Sequence, residues 1–354
     1  MSNTNPSRVG LDENNVPGGN DALFLKKFSG EILQTFEESN IFKPLHTIRT
    51  IESGKSAQFP VTGVATADYH TPGQSIASNG LVADGGYLSD IGKTEKIITI
   101  DQMLVASTFL ANIDDIKNHY DIRSVYANEL GKALAVRFDT AISKVFIAAA
   151  RDSASLTSTA AGSQLDVANN DFSAGDVAGT PAAVTGAQLT AALFSAAQRL
   201  DENDVPSDGR FCVLRPQEYY KLITGGAGQL AIATSAVNKD VGGLGSIASG
   251  SIPQVAGITI YKSNHIPSAD LQTVVTGDGA ANNDVFGTAG VGYNADFRNT
   301  LGVVSHSAAV GTVKLLDLAT ESEYQIERQG TLFVAKYAMG HGVLRPECAI
   351  ELVS

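Results

Sequence analysis

Apolar residues recur at steps of three or four along residues 121–151, the spacing that gathers apolar side chains on one stripe of a helix. The stretch contains no proline, and Asp121 suits the N-cap position. At about 1.5 Å a residue, such a helix is about 45 Å long, which exceeds the width of a small domain. Other segments of the chain must therefore cover it. The predicted buried stripe consists of Ile122, Tyr126, Leu130, Leu134, Phe138 and Ile142.

The N-terminal part of the chain has two patterns. About twenty polar residues that include Pro and Gly come first, and they bury too little surface to order themselves, so a flexible arm is expected. From Asp21 the pattern becomes helical, because apolar residues then fall at four-residue intervals. This amphipathic helix needs a partner surface for its apolar side, which consists of Phe24, Phe28, Ile32 and Phe36.

Two strand-like segments, residues 58–64 and 93–108, flank a polar excursion with the turn-forming pairs Pro72-Gly73, Asn79-Gly80 and Gly85-Gly86. They predict one extended hairpin. A two-stranded ribbon is marginally stable by itself in water. We therefore expect this hairpin to lie on another surface.

The second half of the chain mixes helices and strands. Residues 152–184 are Ser, Ala, Thr, Gly, Asn and Asp with few large apolar groups, which predicts a loop or a weak ribbon. Thr185 and Gln188 have capping-box spacing and predict a helix start. Since helices and strands do not alternate regularly, the pattern predicts an α+β fold. The remaining predicted elements are strands at 210–214, 258–261, 271–276 and 301–305, a short helix from Pro216, and strands over the last fifty residues.

Composition sets the class of protein. A chain of 354 residues with 43% hydrophobic and 18% charged residues predicts a soluble globular protein with room for two or more cores. Neither a signal peptide nor a long apolar run is present, so we expect no membrane segment. A formal charge of -12 argues against a broad grip on nucleic acid. The two cysteines, Cys212 and Cys348, lie in apolar runs and predict buried thiols.

Candidate chemical motifs are weak. The triplets that begin at Gly54 and Gly92 lack the earlier glycine of a phosphate loop and lead into strands. Residues 243–248 match the loose dinucleotide pattern but lie in a Gly-rich stretch, which favours a surface loop. Asp115 and His119 are more typical of a helix cap than of a metal site. We therefore predict no cofactor, no metal site and no catalytic activity.

Several passages carry a family resemblance. In order and spacing, the chain resembles the major capsid protein of T-seven-like podoviruses, the short-tailed bacteriophages, through SGKSAQFPVTG, GKTEKIITID, NHYDIRSVYANELGKALA, SAAVGTVKLLDLA and AKYAMGHGVLRPE. The resemblance covers residue 22 to the C-terminus, and residues 152–184 and 225–300 are the least alike. Two more passages are similar to the axial-domain signature of the Hong Kong 97-like capsid fold, LDENDVPSDGRFCVLRPQEYYKLI and GITIYKSNHIP.

The resemblance implies a division of the chain into an N-terminal arm at 1–50, an E-loop hairpin at 51–104, a peripheral domain at 105–185 with spine helix 121–151, an axial domain at 186–310, and C-terminal strands at 311–354 that return to the peripheral domain. It also implies that the arm and the E-loop contact neighbouring subunits. The residues expected there are Phe24, Phe28, Ile32, Phe36, Phe59, Tyr69, Pro72 and Tyr87.

The function that the resemblance implies is an icosahedral head shell, typically T=7, that encloses the double-stranded DNA genome. Assembly in the host bacterial cytoplasm would proceed through a scaffold-assisted procapsid that expands on packaging. Partners would be copies of the chain in hexamers and pentamers, a scaffolding protein, a portal protein at one vertex and DNA bound without sequence specificity; a decoration or cement protein is left open. The alternatives are a soluble enzyme and another phage structural module, such as a tail-tube or decoration protein.

Overall fold

The computed structural model describes residues 40–62, 93–100, 103–113, 122–152, 161–169, 183–224, 254–269 and 295–354, with isolated residues between 65 and 76 and at 271. The chain divides into two compact units. The first unit includes Asp101–Asp139 and Lys314–Met339; the second includes Ile41–Ile100, Thr140–Val313 and Gly340–Ser354. The arm, the helix predicted from Asp21 and nearly all of the strand predicted at 271–276 lie outside the described residues.

The described ranges contain helices and strands in mixed order. The helices are α1 (Ile122–Arg151), α2 (Gly186–Glu202) and α3 (Pro216–Thr224). The strands are β1 (Thr47–Thr50), β2 (Ser56–Thr62), β3 (Lys93–Thr99), β4 (Leu104–Ala111), β5 (Ser163–Asp166), β6 (Arg210–Leu214), β7 (Gln254–Val255), β8 (Ile258–Lys262), β9 (Thr300–His306), β10 (Val310–Gln325), β11 (Gly330–Val343) and β12 (Ala349–Val353).

In the first unit, α1 packs on a sheet. β4 pairs antiparallel with β11, from Leu104 opposite Tyr337 to Ala111 opposite Gly330. The strand order of this sheet is β1-β10-β11-β4, so β4 is an edge strand. Phe138 of α1 meets the ring of Tyr337 edge to face, with centroids 6.2 Å apart. The middle of the long predicted helix, at Phe138, is therefore in contact with a C-terminal strand.

The second unit holds a six-stranded mixed sheet in the order β5-β12-β9-β6-β8-β7. β12 runs parallel to β5 and antiparallel to β9, and β6 runs antiparallel to β9 and parallel to β8. Every residue of β5, β6 and β12 is buried, as expected for strands covered on both faces. Phe146 of α1 lies against this sheet, with its ring centroid 5.4 Å from that of Phe211.

The capping box predicted at α2 is present. The backbone N–H of Gln188 donates to the Thr185 side chain, and the backbone N–H of Thr185 donates to Gln188 Oε1 at 2.9 Å. These two bonds satisfy backbone donors that a helix start leaves without partners. The apolar face of α2 is fully buried, and it consists of Leu189, Ala192, Leu193, Ala196 and Leu200.

Two predictions about strands are corrected. The single strand predicted at 93–108 is two strands, because β3 pairs with β2 whereas β4 has its own eight-residue register with β11. Within residues 152–184, predicted as a loop or weak ribbon, Ser163–Asp166 is a buried strand. Its partner is the parallel strand β12, which lies far along the chain and so leaves no local signal.

The end of α1 is fixed by a buried ionic network. Arg151 Nε and Nη2 donate to the two oxygens of Glu351 at 2.6 and 2.7 Å. Gln164 Nε2 and Thr300 Oγ1 donate to the same carboxylate at 2.8 and 2.6 Å. The Glu351 side chain is completely buried. The network connects α1 with β5, β9 and β12, which are the elements that carry these residues.

Glu351→Ala is expected to lower the free energy of unfolding by about 3–5 kcal/mol, because the Arg151 guanidinium would stay largely buried without its partner. Urea denaturation followed by circular dichroism measures the change. Lys132→Ala is the control, since its pair with Glu129 is exposed and is worth less than about 1 kcal/mol. Equal losses in the two variants would contradict the role given to the network.

Candidate assembly surfaces

The ribbon formed by β2 and β3 has a buried base and an exposed body. β2 and β3 pair antiparallel from Ser56 opposite Thr99 to Thr62 opposite Lys93. Near the base, Ala57 and its partner Ile98 are buried. On the other face of the same strand, Ile97 is 51% exposed. Between Ser56 and Pro60 of β2 and between Glu95 and Ile97 of β3, the ribbon therefore presents one open face to any neighbouring molecule.

The predicted contact residues of the hairpin have different environments. Tyr69 is 97% exposed, and Pro72 lies exposed in a turn. Phe59 is half-buried, because the Arg49 guanidinium lies 5.7 Å from its ring centroid and donates to the neighbouring Gln58 carbonyl at 2.8 Å. Phe59 is thus partly covered by its own chain. The other predicted contacts, Phe24, Phe28, Ile32, Phe36 and Tyr87, lie outside the described residues.

The stripe predicted for α1 is only partly buried. Leu134, Phe138 and Ile142 are buried, Leu130 is half-buried, and the side chain of Ile122 lies outside the described residues. Tyr126 is 40% exposed and is not a core residue of the isolated chain, which corrects the prediction. The reason is geometric. Each four-residue step turns about 40° around a helix, so Tyr126 and Ile142 point about 160° apart.

The first unit has an exposed apolar face on its sheet. Side chains alternate along β4, and Val105 is 46% exposed while Leu110 is buried. Met103 and Phe109 are exposed on the same side as Val105. We call this surface, formed by Met103, Val105 and Phe109, the β4 face. It lies on an edge strand, where exposed apolar residues invite association with another chain.

Charged residues of β10 and β11 lie on the same side of the sheet as the β4 face. Lys336 lies opposite Val105 and forms an ion pair with Glu321 of β10 at 2.6 Å, so Glu321 shares this side of the sheet. Asp317 and Glu323 have the same alternation along β10 and are exposed. An apolar centre with a charged rim is the usual anatomy of a protein interface. The sequence did not reveal this face, because residues 93–108 read as one strand.

The Gly-His-Gly sequence of β11 places a histidine in the interior of the second unit. Thr312 Oγ1 and His341 Nδ1 lie 2.8 Å apart. Burial, and to a smaller extent the nearby His46, lowers the pKa of His341 to about 3. His46 is itself buried, and its Nδ1 lies 2.7 Å from the Phe42 carbonyl oxygen. His341 is therefore neutral in the folded chain near neutral pH.

The remaining chemical predictions concern thiols, metals and membranes. Cys212 and Cys348 are buried, as predicted; burial raises the pKa of the Cys348 thiol to about 11 and raises that of Cys212 further. Within the described ranges, no three His, Cys, Asp or Glu side chains come together to hold a metal ion. No helix in the part of the chain that the structure describes is long and apolar enough to cross a membrane. Asp115, His119 and residues 243–248 lie outside it.

The fold defines the class of protein. The chain superimposes on a subunit of the mature capsid of bacteriophage PhiM1 with a TM-score of 0.65 at 17% identity, over 89% of this chain and 86% of that one. It superimposes on the capsid protein of cyanophage P-SCSP1u with a TM-score of 0.70 at 38% identity, over 99% of both chains. The molecule is thus an α+β phage capsid protein of the Hong Kong 97-like fold, as the resemblance implied.

The particular family follows from the sequence match. Residues 58–353 match the Gp10A-like family, described as major capsid protein, and the chain belongs to that family. It is 33% identical to the major capsid protein of Escherichia phage T7 over 337 residues, which are 94% of this chain and 92% of the relative. The chain is therefore a shell-forming subunit of a phage virion, and the family is one of structural proteins.

Lowering the pH from 7 to 4.5 is expected to cost the wild-type chain about 2–3 kcal/mol more stability than it costs His341→Gln. The folded pKa of about 3 lies below the ordinary value of about 6.5, so the unfolded chain binds the proton first. The contribution of neutral His341 to the free energy of unfolding is fully present above the ordinary pKa of about 6.5 and is lost as the pH falls toward 3. Urea denaturation at several pH values checks this, and parallel profiles for the two proteins would refute it.

Proposed function

We propose that this chain assembles with a scaffolding protein into a closed icosahedral procapsid, which expands as double-stranded DNA is packaged. Hexamers and pentamers of the chain form the shell, with a T=7 lattice and a portal protein at one vertex. Assembly takes place in the host bacterial cytoplasm. The subunit has no catalytic role and needs no cofactor. An outer decoration or cement protein is an optional addition to this scheme.

The observation that carries the proposal is the β4 face. Val105 and Phe109 are exposed on one side of an edge strand, and Met103 is exposed just before it, although large side chains of this kind stabilise a protein chiefly when they are buried. A shell supplies neighbours on every side of each subunit. A second copy of this chain is therefore the proposed partner of the β4 face.

The ribbon supports the same proposal. Its base is buried in the second unit, but the outer side has Ile97 and the polar residues Gln58 and Glu95 exposed. A ribbon of two strands gains little stability from its own hydrogen bonds in water. Contact with a neighbouring copy would cover Ile97 and leave the polar residues at the edge of the contact, where charged and polar groups are tolerated.

The proposed division of labour follows the chain. Residues 1–50 form an arm, 51–104 the E-loop hairpin, 105–185 the peripheral domain with the spine helix, 186–310 the axial domain, and 311–354 the strands that return to the peripheral domain. The arm and the hairpin contact neighbours. The contacts proposed for them are Phe24, Phe28, Ile32, Phe36, Phe59, Tyr69, Pro72 and Tyr87.

The charge of the chain suits a container for DNA. With 37 acidic and 25 basic residues, the formal charge is -12. Proteins that hold DNA tightly neutralise phosphates with Lys and Arg, and each such contact adds affinity. An acidic shell protein encloses DNA without gripping it. Packaged DNA is therefore a partner without base-specific contacts in this proposal.

Co-expression with a scaffolding protein is expected to give closed particles in electron micrographs, whereas deletion of residues 66–92 abolishes them. The deletion leaves residues 63–65 between Thr62 and Lys93, which are paired. A loop of three residues is a common hairpin connection, so the ribbon base can still form. Circular dichroism of the deleted subunit should match the wild type apart from the missing segment. Only small soluble species from the wild-type chain would refute the shell function.

Val105→Asp is expected to leave the subunit folded and to reduce the yield of particles about tenfold or more, because a charge would replace an apolar group at the centre of a contact. Val105→Ile keeps an apolar group at this position and is the matched control. Particle yield per folded subunit is measured by sedimentation, and thermal unfolding checks the fold. Normal particles from Val105→Asp would show that the β4 face is not a contact between copies.

A further inference from the structure

Three glycines face the base of the ribbon in the second unit. A Cβ atom placed on Gly340 would overlap the carbonyl oxygen of Thr99, and one on Gly342 would lie 2.8 Å from Ile98 Cγ1. A Cβ atom on Gly311 would lie 3.3 Å from Ile98 Cδ1. Real Cβ contacts below 3.0 Å essentially do not occur. The base of β3 therefore packs against glycines of β10 and β11. A side chain at Gly340 or Gly342 would occupy the space that Thr99 and Ile98 fill.

These three positions require glycine because there is no room for a side chain, and not because of the backbone conformation. The positive φ angles found among the described glycines belong to Gly54, Gly73, Gly209 and Gly257. The three glycines at the ribbon base have φ angles that other residues adopt freely. What a side chain would change there is the fit against Ile98 and Thr99. We call Gly311, Gly340 and Gly342 the glycine socket.

The ribbon base is tightly held in the socket. Ile98 is 2% exposed, and Ile100, just beyond the end of β3, is also buried. The backbone N–H of Ile100, just after β3, donates to the carbonyl of Lys55, just before β2, at 2.8 Å. This bond joins the two chain segments at the base of the ribbon. One residue before Ile98, Ile97 is largely exposed. Since neighbouring side chains of a strand point to opposite faces, the ribbon base is held through the Ile98 face and is open on the Ile97 face.

The strand beneath the socket is buried on both faces. Successive side chains of a strand point to opposite faces, so His341 lies on the face of β11 opposite to Gly340 and Gly342. That face is closed by the contact between His341 and the Thr312 hydroxyl of β10. Because the strand is packed on both faces, an added methyl group is expected to displace Ile98, and with it the ribbon base, more readily than the strand.

A small tilt at the base has a large effect at the far end. The seven residues of β3 extend about 20 Å, so a tilt of about 10° moves the end by about 3–4 Å. That displacement exceeds the tolerance of hydrogen bonds and close apolar contacts. Contacts that the ribbon makes with another molecule therefore depend on the angle fixed at its base.

We propose that the glycine socket sets the direction in which the ribbon leaves the subunit, and that Gly340 and Gly342 are positioning residues for shell assembly. The inference rests on the proposed function, in which the ribbon contacts a neighbouring copy. In this inference, the Gly-His-Gly sequence of β11 has a structural role on each face of the strand. The glycines admit the ribbon base, and the histidine fills the opposite side.

The test uses Gly342→Ala in the full chain, co-expressed with the scaffolding protein. The yield of closed particles per folded subunit is expected to fall about tenfold or more. Gly302→Ala is the control, because a Cβ atom on Gly302 would lie 2.5 Å from the Val213 carbonyl oxygen, a more severe crowding at a site in the six-stranded sheet, away from the ribbon. The control is expected to lose stability and to assemble normally once folded.

A second variant distinguishes displacement from general damage. Ile98→Ala removes the atoms that the new methyl group would meet, so the double variant Gly342→Ala with Ile98→Ala is expected to recover particles relative to Gly342→Ala. Failure to recover would overturn the inference. Should Gly342→Ala not fold, Gly311→Ala replaces it, since its Cβ would lie 3.3 Å from Ile98 Cδ1, a milder crowding of the ribbon base, besides 2.7 Å from Leu344 Cδ1.

The position of the ribbon is measured directly with spin labels at Glu95→Cys on the ribbon and Ala187→Cys on α2, both exposed sites in the second unit. The native cysteines are buried and do not take the label. The distance distribution should shift or broaden in Gly342→Ala and stay unchanged in Gly302→Ala. Normal particles and an unmoved distance in Gly342→Ala would overturn the inference. If deletion of residues 66–92 also left assembly intact, the proposed role of the ribbon would fail separately.

Discussion

The second unit depends on the buried ion pair between the Glu351 carboxylate and the Arg151 guanidinium. Removing both Glu351 and Arg151 from water is costly, and it succeeds only because Gln164 and Thr300 complete the hydrogen bonds of the carboxylate. All four side chains must be in place together. The last turn of α1 and three strands of the sheet therefore form as one cooperative structure, and a network satisfied in part would be worse than an apolar contact.

That dependence is also long-range in the chain. Arg151 and Glu351 are 200 residues apart, and β12 lies between β5 and β9 in the sheet. Contacts of such high sequence separation must offset the entropy of closing long loops before they stabilise anything. The second unit can be completed only after residues 349–353 are available to it. Slow completion leaves apolar strands open during folding, when a chaperone or a folding partner has most effect.

Local rules predicted those elements whose signals are local. The helix at 121–151 and the capping box at Thr185 follow from periodicity and from side chains near their own backbone. β5 was missed because its residues, SQLD, are strand-forming only beside β12. Tyr126 was misplaced because a four-residue repeat drifts around a straight helix. The ribbon was predicted from turn residues, while its glycine socket needed contacts between segments that sequence spacing does not reveal.

The candidate surfaces differ in the same way. Family resemblance pointed to the ribbon and the arm, whose composition is unusual by itself. The β4 face has ordinary strand composition, and only pairing with β11 determines which alternate residues are exposed. In a symmetric assembly each such surface is repeated in every copy, so a weak contact is multiplied many times. Individual contacts of a shell can therefore stay weak enough to be corrected during assembly.

Burial of both cysteines has a chemical consequence for such a particle. Thiolate is the form that oxidises or exchanges with disulfides, and the raised pKa values of Cys212 and Cys348 keep both groups protonated. The sequence contains no other cysteine. Both thiols are thus unreactive in the folded subunit, so disulfide exchange between folded copies is not expected.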